Sequence, residues 1–123
     1  MASEQVFKTL VVNLIRTDLK NELVMVLVPV VKTVNLKVVS SVMKAKKAFL
    51  ASGVDAERAT GYVVGGISPL GTRTPLRTLI DESANNYEIL YCSGGRRGLE
   101  ISISPKELLR VINAQAVPGL TNK

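Results

Sequence analysis

Hydrophobic positions fall into short blocks set apart by polar turns, and the period inside each block predicts its structure. Residues 6–15 are apolar in both alternating sets. Val6, Leu10, Val12 and Leu14 are interrupted by Lys8 on one, and Phe7, Val11 and Ile15 by Thr9 and Asn13 on the other. A strand apolar on both faces is expected to be central and covered. A polar turn over 16–22 leads to a second β-rich run, 23–28, so the two read as a hairpin with a longish loop, ended by Pro29. Asn35 then caps a helix running to Met43, with Leu36, Val39, Val42 and Met43 on one side.

Further along, 48–51 reads as a short strand, and Asp55 as the N-cap of a single helical turn over 56–59, ended by Gly61. Strands are expected over 77–80 and 88–92, separated by the polar segment 81–86, and over the alternating segment 99–103. The sharpest local signal is Ser104-Pro105-Lys106-Glu107. It sets an N-cap serine, a proline at the first helical position and a glutamate at the third, opening a helix to Asn113 with Leu108, Leu109 and Ile112 inward. The tail, 114–123, is expected to be loose. No repeat or linker divides the chain, so 1–123 reads as one domain. Grouped strands with helices between them favour an α+β fold over a doubly wound sheet.

Composition narrows the partners. Two Phe, three Tyr and no Trp leave few platforms on which to stack bases, and packing must rely on aliphatic side chains. Sixteen Lys and Arg against ten Asp and Glu give a net charge of +6, which favours phosphate-bearing partners. A single cysteine forms no internal disulfide and fits a reducing compartment. The opening Met-Ala-Ser-Glu lacks the basic and apolar regions of a signal peptide. The longest apolar run, 23–31, falls short of the roughly 20 residues a bilayer requires. A cytoplasmic protein with no membrane association is expected.

The chemistry available is narrow. Without histidine and with one cysteine, the chain has almost no means to build a zinc site, and none for serine–histidine or cysteine–histidine catalysis. Asp81 and Glu82 could hold magnesium, but adjacent acids more often form a solvated turn. No metal or cofactor is expected. Seven of the nine glycines fall in two runs, 60–71 and 93–98, which are expected to form facing walls of one small pocket. Gly65-Gly66-Ile67-Ser68-Pro69 matches neither a Walker loop nor a dinucleotide fingerprint. It reads either as a turn between strands or as a row of N–H groups aimed at an oxyanion or phosphate. Lys8 either snorkels into water or brings its ammonium to the pocket mouth. Arg96 and Arg97 either form a charged turn or hold phosphates. Lys44, Lys46 and Lys47 form a solvated face or touch an RNA backbone. Cys92 reads as a buried structural thiol.

Four ordered motifs carry a resemblance: Phe7-Lys8-Thr9, Thr-Gly-Tyr-Val-Val-Gly-Gly-Ile-Ser-Pro-Leu-Gly over 60–71, Asp81-Glu82-Ser83, and Ser-Gly-Gly-Arg-Arg-Gly-Leu-Glu-Ile over 93–101. Together they resemble the YbaK/EbsC family, free-standing relatives of the editing insertion domain of bacterial prolyl-tRNA synthetase, across 5–109. The resemblance implies a mixed, curved, partly barrel-like sheet flanked by short helices. It also implies hydrolysis of mischarged aminoacyl-tRNA, most typically Cys-tRNA(Pro). The implied catalytic positions are Lys8, Gly65, Ser93 and Glu100, the last standing where some members have aspartate. Implied substrate contacts are Gly66, Ile67, Ser68, Pro69, Asp81, Gly94 and Arg97. A cysteinyl ester carries its own nucleophile, so the protein need only fold it toward attack and stabilise the oxyanion.

Implied partners are the aminoacyl-tRNA, with tRNA(Pro) foremost, and prolyl-tRNA synthetase as a further candidate, the protein itself being a monomer or weak homodimer. Family members usually carry a further segment ahead of the Phe-Lys-Thr strand that helps close the pocket. Met1 stands close to that strand here, so the expectation is either a natural short form or a chain that has lost the segment, with an open edge favouring dimerisation. Two other readings stand beside the enzyme. One is a module that contacts tRNA or a synthetase without hydrolysis; the other is a deacylase for Ala-tRNA(Pro).

Overall fold

Two strands apolar on both faces set the architecture. In a computed structural model that describes residues 3–16 and 21–122, β1 (Phe7–Ile15) and β2 (Asn21–Pro29) pair antiparallel, from Phe7 opposite Pro29 to Ile15 opposite Asn21. Most of the connecting turn expected over 16–22 lies outside the described residues. The five-stranded sheet runs β3-β1-β2-β4-β7, with β3 Lys47–Leu50, β4 Thr78–Asp81 and β7 Gln115–Val117. β3 is antiparallel to β1, whereas β4 is parallel to β2 and β7 parallel to β4. A separate antiparallel ribbon joins β5 (Leu90–Ser93) to β6 (Glu100–Ile103).

Alternation along β1 and β2 sends side chains to two cores, one on each face of the sheet. Val12, Leu14, Val24, Val26 and Val28 pack with Val39 and Met43 at α1 (Leu36–Val42) and with Leu120. On the opposite face Phe7, Met25 and Leu27 pack with Ala84, Leu90 and Leu108, the last on α3 (Pro105–Ile112). A third cluster, Val11, Ala56 and Ile67, lies under α2 (Gly53–Thr60). Among the described residues, no helix is long and apolar enough to cross a membrane.

Helix ends follow local chemistry. Asn35 Oδ1 accepts from the N–H groups of Lys37 and Val38, as an N-cap should. Ser104 Oγ accepts from Glu107 N–H, while the Glu107 carboxylate takes Arg110 at 2.6 Å. Asp55 is not the cap of its helix. Ser52 is, accepting from Asp55 N–H at 3.1 Å, so α2 begins earlier and Asp55 sits in its first turn, where a carboxylate meets the positive helix end.

Two further expectations change. The main sheet is open, with β3 and β7 as edges, and the partial barrel reduces to the β5–β6 ribbon touching β1 through a parallel bridge between Val6 and Tyr91. Residues 115–122 are not loose. They complete the edge of β4 and bury Leu120 fully, because β4 has hydrogen-bonding groups on that side and Val117 and Leu120 are apolar.

Candidate active site

The cavity exists because the sheet splits along one edge of β1. β3 pairs with β1 from Val12 to Ile15, and Ala51 N–H donates to Val11 C=O at 2.9 Å. At the other end the β5–β6 ribbon meets β1 near Val6. Between these contacts the edge of β1 is free and forms one wall of a cavity of about 670 Å³. Val11 and Ile15 carbonyls both face β3, whereas the Val6 carbonyl accepts Val30 N–H on the β2 side. Odd-numbered backbone groups therefore face the gap, which aims the N–H and C=O of Thr9 into it. That volume suits a small-molecule or cofactor-sized ligand, since such pockets run from about 300 to 1,000 Å³.

Both glycine runs reach the cavity, through Val64, Gly65 and Ile67 from the first and Ser93, Arg96 and Glu100 with its neighbours from the second. Their backbones touch behind it. A Cβ on Gly66 would stand 2.7 Å from Arg96 Cα and from Arg97 N, so only glycine permits this approach. Tyr62 binds the loops as well, its hydroxyl donating to Leu70 C=O and its ring lying against Gly95.

Lys8 lines the cavity, half-buried, with Nζ 3.5 Å from Val30 C=O, the outer limit of a hydrogen bond. Ser93 Oγ accepts from Gly95 N–H at 3.2 Å. Glu100 lies opposite Ser93 across the ribbon and carries no protein partner among the described residues. Thr9 is 9% exposed, and its hydroxyl has no partner among the described residues. Cys92 is buried, and burial, followed by the nearby Glu100 carboxylate, pushes its thiol up to about 11. It is therefore a thiol, not a nucleophile, at neutral pH.

The structure brings Lys8, Gly65, Ile67, Ser93 and Glu100 to one cavity and places the other expected residues elsewhere. Gly66 forms the contact behind the wall. Ser68 is buried with Oγ accepting from Leu70 N–H, and Pro69 lines a smaller hollow against α3. Asp81 is a structural cap, accepting from Ser83 N–H and from Leu120 N–H, both at 3.2 Å. Gly94 N–H donates to Leu99 C=O at 2.7 Å and closes the ribbon turn.

Arg97 lies apart from the group. Its Nε donates to Val64 C=O at 2.9 Å, outside the cavity, and Arg96 lines the cavity in its place. Nothing local distinguishes adjacent arginines in a turn; the choice depends on where the first glycine run lies. The apolar rim formed by Leu50, Val64 and Leu99, each at least 40% exposed, also escaped sequence reasoning. Those residues read as ordinary members of a strand or loop.

The sequence profile described as an aminoacyl-tRNA editing domain matches residues 1–111. A protein of Enterococcus faecalis (strain ATCC 700802 / V583), bearing the provisional name Cys-tRNA(Pro)/Cys-tRNA(Cys) deacylase EbsC, is 32% identical over 111 residues, 90% of this chain and 65% of that protein. The chain thus spans about two thirds of that relative's length. Two solved structures share the fold. One was solved as a proposed trans-editing enzyme for prolyl tRNA synthetase (TM-score 0.85, 24% identity, 99% of this chain and 73% of that one). The other served in epitope backbone grafting by computational design (TM-score 0.88, 23% identity, 99% of this chain and 74% of that one). The split sheet, the paired glycine runs and the profile match agree, and the chain belongs to the aminoacyl-tRNA editing domain family.

Proposed function

We propose that the chain is a trans-editing deacylase that hydrolyses the ester of mischarged Cys-tRNA(Pro), with the substrate's own thiol as nucleophile. The observation that carries this reading is a cavity with an ammonium, free backbone amides and a carboxylate but no activated nucleophile among the described residues, since no histidine is present to activate the Ser93 hydroxyl and Cys92 is buried and protonated. In the first step the cysteinyl sulfur bonds to the ester carbonyl carbon, its proton leaves, and the carbonyl oxygen becomes an oxyanion. The bond to the ribose oxygen then breaks, that oxygen takes a proton, and water opens the resulting thiolactone to free cysteine. Gly65 N–H and Lys8 Nζ stabilise the oxyanion, which a low-dielectric cavity makes worth far more than in water. Arg96, at the rim, meets the terminal phosphate. The Enterococcus relative's name supports the substrate, and the basic excess supports a tRNA partner. Prolyl-tRNA synthetase, whose error it would correct, is the protein partner this reading implies.

The test is deacylation of Cys-tRNA(Pro), Ser-tRNA(Pro) and Ala-tRNA(Pro) by the same preparation. Hydrolysis of the cysteinyl ester alone is expected, because the seryl ester has the same shape without the thiol. Lys8→Ala should lower the rate about 100-fold or more, the scale of a lost oxyanion donor. Equal hydrolysis of all three esters would overturn substrate thiol attack. The apolar lining favours one competing reading, a deacylase for Ala-tRNA(Pro), which preference for the alanyl ester would establish.

A further inference from the structure

The first glycine run contains a turn gripped from both sides. Gly66 N–H donates to Val63 C=O at 2.9 Å, and Gly65 in third position has φ +91°, which makes 63–66 a type II turn. Type I and type II turns differ chiefly in the orientation of the central peptide, here Val64–Gly65. That peptide is restrained at Val64, whose C=O belongs to it and accepts from Arg97 Nε at 2.9 Å. The peptide before it, Val63–Val64, is held too, its Val64 N–H donating to Glu57 Oε2 at 2.9 Å. Glu57 comes from α2 and Arg97 from the second glycine run, so elements far apart in sequence hold one residue.

A planar trans peptide carries its N–H opposite its C=O. The bond that draws the Val64 oxygen toward Arg97 therefore turns Gly65 N–H the other way. Gly65 lines the cavity, Arg97 does not, and Gly65 N–H meets no acceptor among the described residues. We infer that Glu57 and Arg97 are positioning residues, which lock the turn so that Gly65 N–H points into the cavity as the donor to the developing oxyanion. The inference rests on the deacylase reading and gives the two arginines separate tasks: Arg96 faces the ligand and Arg97 holds the wall.

Steady-state deacylation of Cys-tRNA(Pro) tests it, using R97Q, R97K, E57A and E57Q. R97Q and R97K should both lower kcat about 10- to 100-fold with KM within about twofold, since a lysine keeps the charge but not the Nε hydrogen bond. E57A should lower kcat similarly. E57Q should recover most of that loss, because its carboxamide oxygen still accepts from Val64 N–H. The Gly65 amide resonance in ¹H–¹⁵N spectra should move in R97Q and E57A, and less in E57Q. A wild-type kcat in R97K, or a raised KM and shallower salt dependence in R97Q, would show Arg97 binding phosphate and overturn the inference. If the Arg97 variants fail to fold, the E57A and E57Q pair decides alone, and equal kcat in the two overturns it. An inactive wild-type chain would sink the deacylase reading itself. An active wild type with insensitive Arg97 and Glu57 variants sinks only the clamp.

Discussion

Strand β1 has two unlike ends. At Val12–Ile15 it is paired on both edges, and Arg16 just beyond it bonds to Glu22, which also takes Arg77, each at 2.7 Å. At Lys8–Leu10 one edge is free, and Lys8, Thr9, Arg96 and Glu100 around it keep polar groups that no strong partner takes among the described residues. Charges are abundant at both ends, so charge alone marks neither as functional. What separates them is whether the groups already satisfy one another. The closed end is a staple, whereas the open end has groups left over for a ligand.

Breaking the contact between the glycine runs should have the largest effect on this contrast. Gly66→Ala puts a methyl 2.7 Å from backbone that cannot rotate away, so the loops must separate. We expect a loss of about 1–3 kcal/mol in stability and about 100-fold in deacylation, read by thermal melts and single-turnover assays. The staple should affect stability alone. The Arg77 hydrogen bond, helped by Arg16, lowers the Glu22 carboxyl from 4.5 to about 2. A depressed folded pKa stabilises above the unfolded value, and that stability is lost as pH falls from about 4.5 towards 2. For a half-exposed group, screening reduces the gain to about 1 kcal/mol. Glu22→Gln should lose that amount at pH 7 and flatten the acid limb of the stability curve, leaving deacylation unchanged.

Thr9→Val sharpens the comparison further. Replacing a buried hydroxyl without a partner should raise stability by up to about 1 kcal/mol while lowering deacylation a few-fold, because the open end loses a group a ligand can use. A gain in stability with full activity would place Thr9 in the core instead. The smallest effect should come at Cys92. Its thiol, raised to about 11 by burial, should resist iodoacetamide at pH 8 in the folded protein and react on unfolding. Cys92→Ala should deacylate at the wild-type rate.

Much of the fold was legible because its signals are local. Asn35 and Ser104-Pro105 announced their helices through side-chain caps that involve only the next few residues. The double-faced apolar pattern of β1 and β2 announced a covered sheet. Asp55 was expected as the cap that Ser52 supplies; both residue types cap well, and packing of Ala56 against Val11 and Ile67 decides where α2 begins. Lys8, Gly65, Ser93 and Glu100 came from an ordered family resemblance, and the structure gathers them in one cavity. Asp81, Gly94 and Arg97 belong to the same motifs yet bond to the protein's own backbone. A motif records which residues the architecture needs without separating those that touch a ligand from those that shape the wall. Choosing Arg96 over Arg97 required knowing where Val64 lies, a relation spanning 33 positions.

The placement of β7 leaves a hidden liability. This three-residue strand covers the outer edge of β4, and Leu120 just beyond it donates its N–H to the Asp81 carboxylate. Whenever the segment detaches, Leu79 and Ile80 present unpaired main-chain groups beside an unfilled core, the kind of edge that recruits a neighbouring chain. Fraying of one short strand is therefore a route to self-association.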